Sequence, residues 1–597
     1  MAAPEIRQWG QNPPISTALP TEQENQLNAA LIDELKRENN FERPEETEKR
    51  VEILNTFQKV TEEFVKLVGR NKGLAQSAID NAGGKVFTYG SYRLGVYGPG
   101  SDIDTLIVAP KHCTRDDFFQ LFPELLAKMS RADAIDEMTP VPDAHVPVIS
   151  LEYCGISIDL IFAPLAISSV PMSLDLKDKN LLKGLSDTDL RSVNGSRVTD
   201  EILTLVPQVK TFRHALRAVK LWAQRRAVYA NVMGFPGGVA WAMMVARVCQ
   251  LYPMAPGSVL VSKFFNLMKS WPWPRPIMLK DMDDGPIQQK VWNPQIYPGD
   301  RRHLMPVITP AFPSMCATHN ITPSTQKIIL RELSRASDIT NEIFMGRKAW
   351  KDLFRRHTFF TEGYKYYLSI VAASRTKDAQ SIWSGLVQSR LRRLVTGIEV
   401  SDASVELAHP FNKGFERVHQ CKTDEEVEMT LQGSLKFQVK EVKTETTEDT
   451  KDIKQAVVAE GSTENVEMPN KTLGEVNSDG VRTIYSTTFY VGIELEEGAK
   501  SLDISYPVGE FKRNCTDWPQ YNDELNSLRI VHTRNYDLPD DVFEPGEVRP
   551  SRKKKATSRS NGQSASKRNV GEAGLDGTNG HPAKRQQSST GVSTAAG

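Results

Sequence analysis

The stretch 87–110, FTYGSYRLGVYGPGSDIDTLIVAP, constrains this chain's fold more than any other. It runs through Asp102-Ile103-Asp104 into the apolar, β-branched segment Thr105 to Ala109, and the flanking Gly and Pro residues mark that segment as a strand. Side chains two apart on a strand share a face, so Asp102 and Asp104 project together while Ile103 turns into the packing. Two carboxylates held so close repel each other unless a cation lies between them, and a divalent ion meets that need. Just upstream, Gly90 lets backbone approach a ligand and Ser91 offers a hydroxyl to phosphate. The pattern alone also fits a Ca²⁺ loop or a polar turn entering an edge strand.

A third carboxylate shifts the balance. His145 to Tyr153 and Ile156 to Ala163 are two apolar runs separated by Cys154-Gly155, which predicts a hairpin with a two-residue turn. On the second run Ile156, Ile158, Leu160 and Phe162 share one face, and Ser157, Asp159 and Ile161 share the other. If the hairpin lies beside the Asp102/Asp104 strand, three carboxylates converge. That set suits phosphoryl transfer with two Mg²⁺ ions, one holding a triphosphate between Asp102 and Asp104, the other activating a hydroxyl beside Asp159. No GxxxxGK[ST] motif, histidine cluster or Ser/His/Asp arrangement competes.

A chain of 597 residues exceeds one core and predicts three or four domains. The formal net charge is zero, yet residues 546–597 hold ten Lys/Arg against three Asp/Glu, which puts +7 on the tail and −7 on the rest. The six cysteines form no CxxC pair, which fits a reduced intracellular compartment better than a disulfide framework or a zinc site. The N-terminus lacks a signal-like apolar region, and the most apolar segment, Val232 to Val248, is too short and interrupted to cross a membrane. Thr21 and Glu24 predict a capping box before Leu27, Leu31 and Leu35, and a longer amphipathic helix comes next, from about Glu45 to Arg70. Within Thr211 to Arg226, Arg213, Arg217, Lys220 and Gln224 form a polar stripe opposite Phe212, Leu216, Val219 and Trp222. It is either a solvated face or, with Tyr229, Asn231 and the turn Gly234 to Gly238, part of a nucleotide grip.

Five motifs carry a resemblance: GSYRLGVYGPGSDID, GISIDLIFA, NGSRVTDEI, ALRAVKLWAQRRAVYANVMGFPGGVAWAMMVARVCQLYP and MPVITPAFPSMCATHNIT. In this order they resemble the eukaryotic nuclear poly(A) polymerases, of fungal type, within the DNA polymerase β-like nucleotidyltransferase superfamily. The resemblance implies an α/β multidomain fold: N-terminal helices (1–70) packing on the middle domain, a nucleotidyltransferase palm of mixed sheet and helices (71–205), a helical middle domain (206–356), a C-terminal α+β RRM-like RNA-binding domain (357–545) and a disordered basic tail (546–597). It implies that Asp102, Asp104 and Asp159 are the catalytic, metal-holding aspartates, with Mn²⁺ able to replace Mg²⁺. It places ATP contacts at Tyr89, Gly90, Ser91, Gly98, Asn194, Lys220, Tyr229, Asn231, Gly238 and Val239, with Lys220 on phosphate and Tyr229 on the sugar-base side. The family's usual Phe and Lys before the hairpin turn are here His145 and Ser150.

The activity implied is template-independent addition of adenylate to the 3′ end of pre-mRNA by a nuclear monomer working with cleavage and polyadenylation factor proteins. Alternatives are a terminal uridylyltransferase and a catalytically inactive RNA-binding scaffold. Towards the C-terminus, FFTEGYKYYLSI and the helix around Trp383 bearing Arg390, Arg392 and Arg393 interleave aromatic and basic residues, as RNA binding requires. Residues from about 441 to 480, rich in Glu, Thr, Lys and Asn, predict a mobile loop between strands. In the tail Arg552, Lys553, Lys554 and Lys555, then Lys567-Arg568 and Lys584-Arg585, are candidates for nuclear import or a loose RNA-binding arm.

Overall fold

In the computed structural model, strand β2 (Ile103–Pro110) is buried at every position. A run apolar on both faces can only be a central strand, because either face would otherwise expose Val, Ile or Leu to water. The structure describes residues 7–401, 404–439, 480–499 and 502–552, and Met1–Pro550 form one compact unit.

Strand β2 lies in a five-stranded sheet with β1 (Lys85–Thr88), β3 (Ile135–Val141), β4 (Val148–Tyr153) and β5 (Ile156–Leu165), in the order β1-β2-β5-β4-β3. Within this sheet only the β2–β5 pairing is parallel. Cys154 (φ 52°) and Gly155 (φ 71°) turn β4 into β5, and positive φ at both residues is what a two-residue hairpin loop of primed type demands. One face of the sheet packs on the helices Pro44–Asn71 and Arg115–Met129, where Phe57, Phe64, Phe118 and Phe122 meet Ile158, Leu160 and Phe162. Each such phenylalanine contributes roughly 2–3 kcal/mol by leaving water. The helix expected near residues 45–70 to pack on the middle domain instead buries its Ile53–Phe57–Val60–Phe64 stripe, among the described residues, in the core of the palm sheet. On the opposite face Leu106, Val108, Ile161 and Ala163 pack against Leu190 and Val193 of the helix Asp187–Leu205.

The middle region is helical: Val209–Arg225, Gly238–Leu251, Gly257–Lys269 and Pro323–Phe344 enclose Trp222, Trp241, Phe264 and Phe265. Here the first N-terminal helix, Glu22–Arg37, does dock, starting with the expected Thr21/Glu24 capping box. Leu31 and Leu35 enter this core, Ser258 N–H donates to Asn28 Oδ1 at 3.2 Å, and Trp350 Nε1 donates to Leu27 O at 3.0 Å.

The C-terminal region holds β6 (Tyr366–Ser374), β7 (Val405–Pro410), β8 (Phe415–Cys421), β9 (Arg482–Leu495) and β10 (Asn526–Arg534), ordered β10-β6-β9-β7 with β8 also paired to β9. The helix Lys377–Glu399 packs on this antiparallel sheet through Trp383, Leu386, Leu391 and Leu394. Two expectations for RNA contact change here. Phe359, Phe360 and Tyr367 are buried in one aromatic cluster with Phe411 and Tyr490, so they hold the domain together and offer no open stacking surface. Arg390 donates to the Asn514 carbonyl, and Arg393 Nη1 donates to Asn514 Oδ1 at 2.8 Å, so these two arginines tie neighbouring helices. The loop predicted over about 441–480, except for Gly480, and the basic clusters from Lys553 onward lie outside the described residues; Arg552 is exposed.

Candidate active site

Pairing register builds the site. Asp104 on β2 stands opposite Asp159 on β5, Asp159 opposite Ser150 on β4, and Ser150 opposite Thr139 on β3. At the other side Tyr89 N–H donates to the Asp104 carbonyl at 3.1 Å. One row across the sheet thus reads Tyr89, Asp104, Asp159, Ser150, Thr139, all on one face. Two residues earlier, Asp102 joins that face, level with Ser157, Glu152 and Glu137. The row on the inner side is Phe87, Leu106, Ile161 and Val148, which belong to the apolar core. The three aspartates therefore occupy the margin at which a sheet face leaves the core, and each is buried: Asp102 5%, Asp104 5% and Asp159 7% exposed. Asp102, Asp159, Ser150 and Thr139 line a common pocket.

Tyr89 registers how close these charges are. Its phenol is pushed well above its ordinary pKa, first by burial, then by Asp104, Asp159 and Asp102. It stays neutral and adds no fourth negative charge.

The turn after β1 is shaped by one glycine. Gly90 has φ 61° and opens the helical turn Gly90–Leu94, with Tyr89 at its N-cap. A Cβ there would lie 3.0 Å from the Asp104 carboxyl carbon and closer still to its oxygen. Only glycine leaves room for that carboxylate, and Ser91 comes next within the same turn. Gly98 sits farther back: its N–H donates to Ser101 Oγ at 3.0 Å, closing the turn that delivers Asp102.

Arg50, absent from the residues singled out in the sequence, pins that turn. Buried on the helix Pro44–Asn71, it donates to Ser101 O at 2.6 Å and Asp102 O at 3.4 Å, and Glu42 holds its Nε at 2.8 Å. Its signal in the sequence is an arginine in phase with the apolar stripe Ile53–Phe57–Val60–Phe64.

The expected nucleotide contacts fall into two groups. Asn194 lies on the helix Asp187–Leu205 beside Gly195, whose Cβ would stand 3.0 Å from the Tyr89 ring. Tyr229, Asn231 and Gly238 come together: a Cβ on Gly238 would meet the Tyr229 hydroxyl at 2.6 Å, and one on Gly237 the Asn231 Cβ at 3.5 Å. Val239, in the first turn of the helix Gly238–Leu251, is exposed. That helix packs against both Asp187–Leu205 and the Gly90–Leu94 turn. Lys220 is buried, and on the same stripe Arg213 donates to Leu94 O at 2.8 Å and Arg217 to Tyr97 O at 2.7 Å and to the Asn40 carbonyl. Asn320, also missed by sequence reading, donates to Asn231 O at 3.2 Å. The side-chain oxygens of Asn194, Asn231 and Asn320 are buried without a protein donor, a state native structures rarely leave unexplained. His145 contributes its carbonyl, which accepts from Arg191 at 3.0 Å.

The donor chemistry is hard oxygen, suited to Mg²⁺ or Mn²⁺. Among the described residues no group of three or more His, Cys, Asp and Glu forms a ready-made metal site. Mg²⁺ in phosphoryl-transfer sites is commonly held by one or two carboxylates, with substrate phosphates and water completing the shell, and the aspartate row fits that use.

A mixed sheet that presents paired acids beside a Gly-Ser turn defines a nucleotidyltransferase. Family models match end to end: the poly(A) polymerase nucleotidyltransferase domain over residues 10–206, the poly(A) polymerase central domain over 211–356 and the poly(A) polymerase predicted RNA binding domain over 358–552. The chain is 53% identical over 554 residues to poly(A) polymerase pla1 of Schizosaccharomyces pombe, covering 92% of this chain and 96% of that one. It is 49% identical over 564 residues to poly(A) polymerase PAPa of Candida albicans, covering 93% and 97%. Among solved structures, the Cid1 RNA terminal uridylyl transferase is similar at 13% identity and a TM-score of 0.37, over 56% of this chain and 99% of that one. The chain belongs to the poly(A) polymerase family.

Proposed function

We propose that this protein is a template-independent ATP:RNA adenylyltransferase that adds a poly(A) tail to RNA 3′ ends in mRNA 3′-end processing. The observation that carries this reading is the register of Asp104 against Asp159, with Asp102 on the same face at the polar margin of a buried sheet. Asp102, Asp104 and Asp159 would hold two Mg²⁺ ions, for which Mn²⁺ substitutes, and such ions neutralise a triphosphate and lower the pKa of an attacking hydroxyl. The RNA 3′-hydroxyl attacks the α-phosphorus of ATP in line and pyrophosphate leaves. Asp159 accepts the hydroxyl proton as the 3′-oxygen bonds to the α-phosphorus. Lys220 supplies positive charge to the triphosphate. Tyr229 flanks the sugar-base side, and the unpartnered Asn194 and Asn231 oxygens accept from nucleotide donors. Gly90, Ser91, Gly238 and Val239 let backbone and small side chains close on the ATP, and Gly98 acts through the turn that delivers Asp102. Catalysis here is mostly positioning and charge neutralisation.

The site reads little RNA sequence, so cleavage and polyadenylation factor proteins select the RNA, and the enzyme acts as a nuclear monomer. Asp102→Asn, Asp104→Asn and Asp159→Asn each change one atom type in the row. Each is expected to reduce AMP addition roughly a thousandfold while the circular-dichroism spectrum and melting midpoint stay near wild type. Near-wild-type addition by any one of them removes that residue from the site.

A further inference from the structure

Ser150 stands directly across the antiparallel β4–β5 pair from Asp159, and its hydroxyl donates to Asp159 Oδ1 at 2.6 Å. That length lies in the short, charge-assisted range for hydroxyl and carboxylate. Both partners are fixed by their strands. Ile149 and Leu151, which flank Ser150, are buried in the opposite face of the sheet, as are Ile158 and Leu160 beside Asp159. Neither backbone can slide or roll without pulling those side chains out of the core, so the two side chains meet because the register leaves them no alternative.

An aspartate's terminal torsion is broad, and a carboxylate on a rigid strand still swings unless one oxygen is engaged. The hydrogen bond on Oδ1 fixes the plane of the carboxylate, and with it the directions in which its lone pairs can meet a cation. The donor is neutral, so it orients the carboxylate without cancelling the charge that a cation needs. An alanine at this position would leave the carboxylate to find its own orientation.

We propose that Ser150 is a positioning residue of the polymerisation centre, which orients the Asp159 carboxylate for the cation and the RNA 3′-hydroxyl. This role rests on the reading of Asp159 as a cation-holding residue. Partners that orient a metal ligand typically contribute about 10–100-fold to metal affinity.

The test compares Ser150→Ala, Ser150→Thr, Ser150→Val and Asp159→Ala in the full chain. Thr and Val have the same shape and differ in the hydroxyl alone, so a packing effect moves them together and a loss of the hydrogen bond separates them. Free Mn²⁺ is measured by electron paramagnetic resonance during titration of protein saturated with a non-hydrolysable ATP analogue, against the analogue alone and without RNA, and AMP addition is followed across Mg²⁺ concentration. Ser150→Ala and Ser150→Val are expected to bind Mn²⁺ about tenfold more weakly and to need about tenfold more Mg²⁺ for half-maximal addition. Ser150→Thr stays within about twofold of wild type. Mn²⁺ binding by Ser150→Val equal to that of Ser150→Thr overturns the role. If Asp159→Ala loses Mn²⁺ binding while the Ser150 variants keep it, Ser150 alone is wrong; if Asp159→Ala binds as wild type does, the cation reading of Asp159 falls and this role with it.

Discussion

Gly90→Ala separates a strained backbone from a displaced catalytic group. Gly90 sits at φ 61°, where an L residue costs about 1–2 kcal/mol. Gly155, in the β4–β5 turn, sits at φ 71° with nothing within 4 Å of an added Cβ. Alanine therefore exacts the same backbone cost at both positions, but only at position 90 does its methyl group collide, 3.0 Å from the Asp104 carboxyl carbon. Relieving that collision requires the carboxylate to move on the order of 1 Å, and misplacement of that size costs about a hundredfold in rate, or about 2.7 kcal/mol in the barrier. Both variants are expected to lose similar stability, read from urea unfolding. In primer extension Gly155→Ala stays within about threefold of wild type, whereas Gly90→Ala falls about a hundredfold in kcat/KM. Gly90→Ala as active as Gly155→Ala would refute the placement of Asp104 that the whole site depends on.

Burial and charge set two further outcomes. Lys220→Ala is expected to raise the KM for ATP about tenfold or more with RNA affinity nearly unchanged, because a lost hydrogen bond to a charged group is worth roughly 1.5 kcal/mol or more; equal losses in ATP KM and RNA binding, measured by filter binding, contradict its role. His357 and His409 are both held down to about 3, chiefly by burial, with Arg226 the next cause for His357 and His357 itself for His409. Below the ordinary histidine pKa of about 6.5 the unfolded chain takes up protons that the folded chain refuses, so stability is full above that pH and declines as pH falls towards 3. At about pH 5 each ring contributes a loss of about 2 kcal/mol, and His409→Gln is expected to remove about 2 kcal/mol of the total loss between about pH 7 and pH 5, to which His419 also contributes; urea-unfolding curves of equal pH dependence in variant and wild type would contradict this.

The legible part of the fold was the part governed by short-range alternation. Asp102-Ile103-Asp104 before a β-branched run, and Ser157/Asp159/Ile161 alternating after Cys154-Gly155, place carboxylates on faces through the period of two that a strand imposes. Thr21 with Glu24 marked a helix start for the same local reason. What stayed hidden depends on which surfaces meet. Arg213 and Arg217 look like an exposed stripe until the loop Leu94–Tyr97 is laid over them. Phe359, Phe360 and Tyr367 look available to RNA until β7–β9 enclose them. Arg50 reaches Asp102 across 52 residues of chain, and Asn320 reaches Asn231 across 89. The helix Pro44–Asn71 shows a clear apolar stripe, but a stripe does not say whether a sheet or another helix will cover it.

The most direct measurement is primer extension by the full chain on a labelled oligo(A) primer with Mg²⁺, each of the four NTPs supplied separately, and Asp159→Asn alongside. The expected result is a ladder with ATP for the wild type and none for the variant. A ladder with UTP in place of ATP would keep the chemistry and change the substrate, and no ladder with any NTP under Mg²⁺ or Mn²⁺ would contradict the assignment of this site to catalysis.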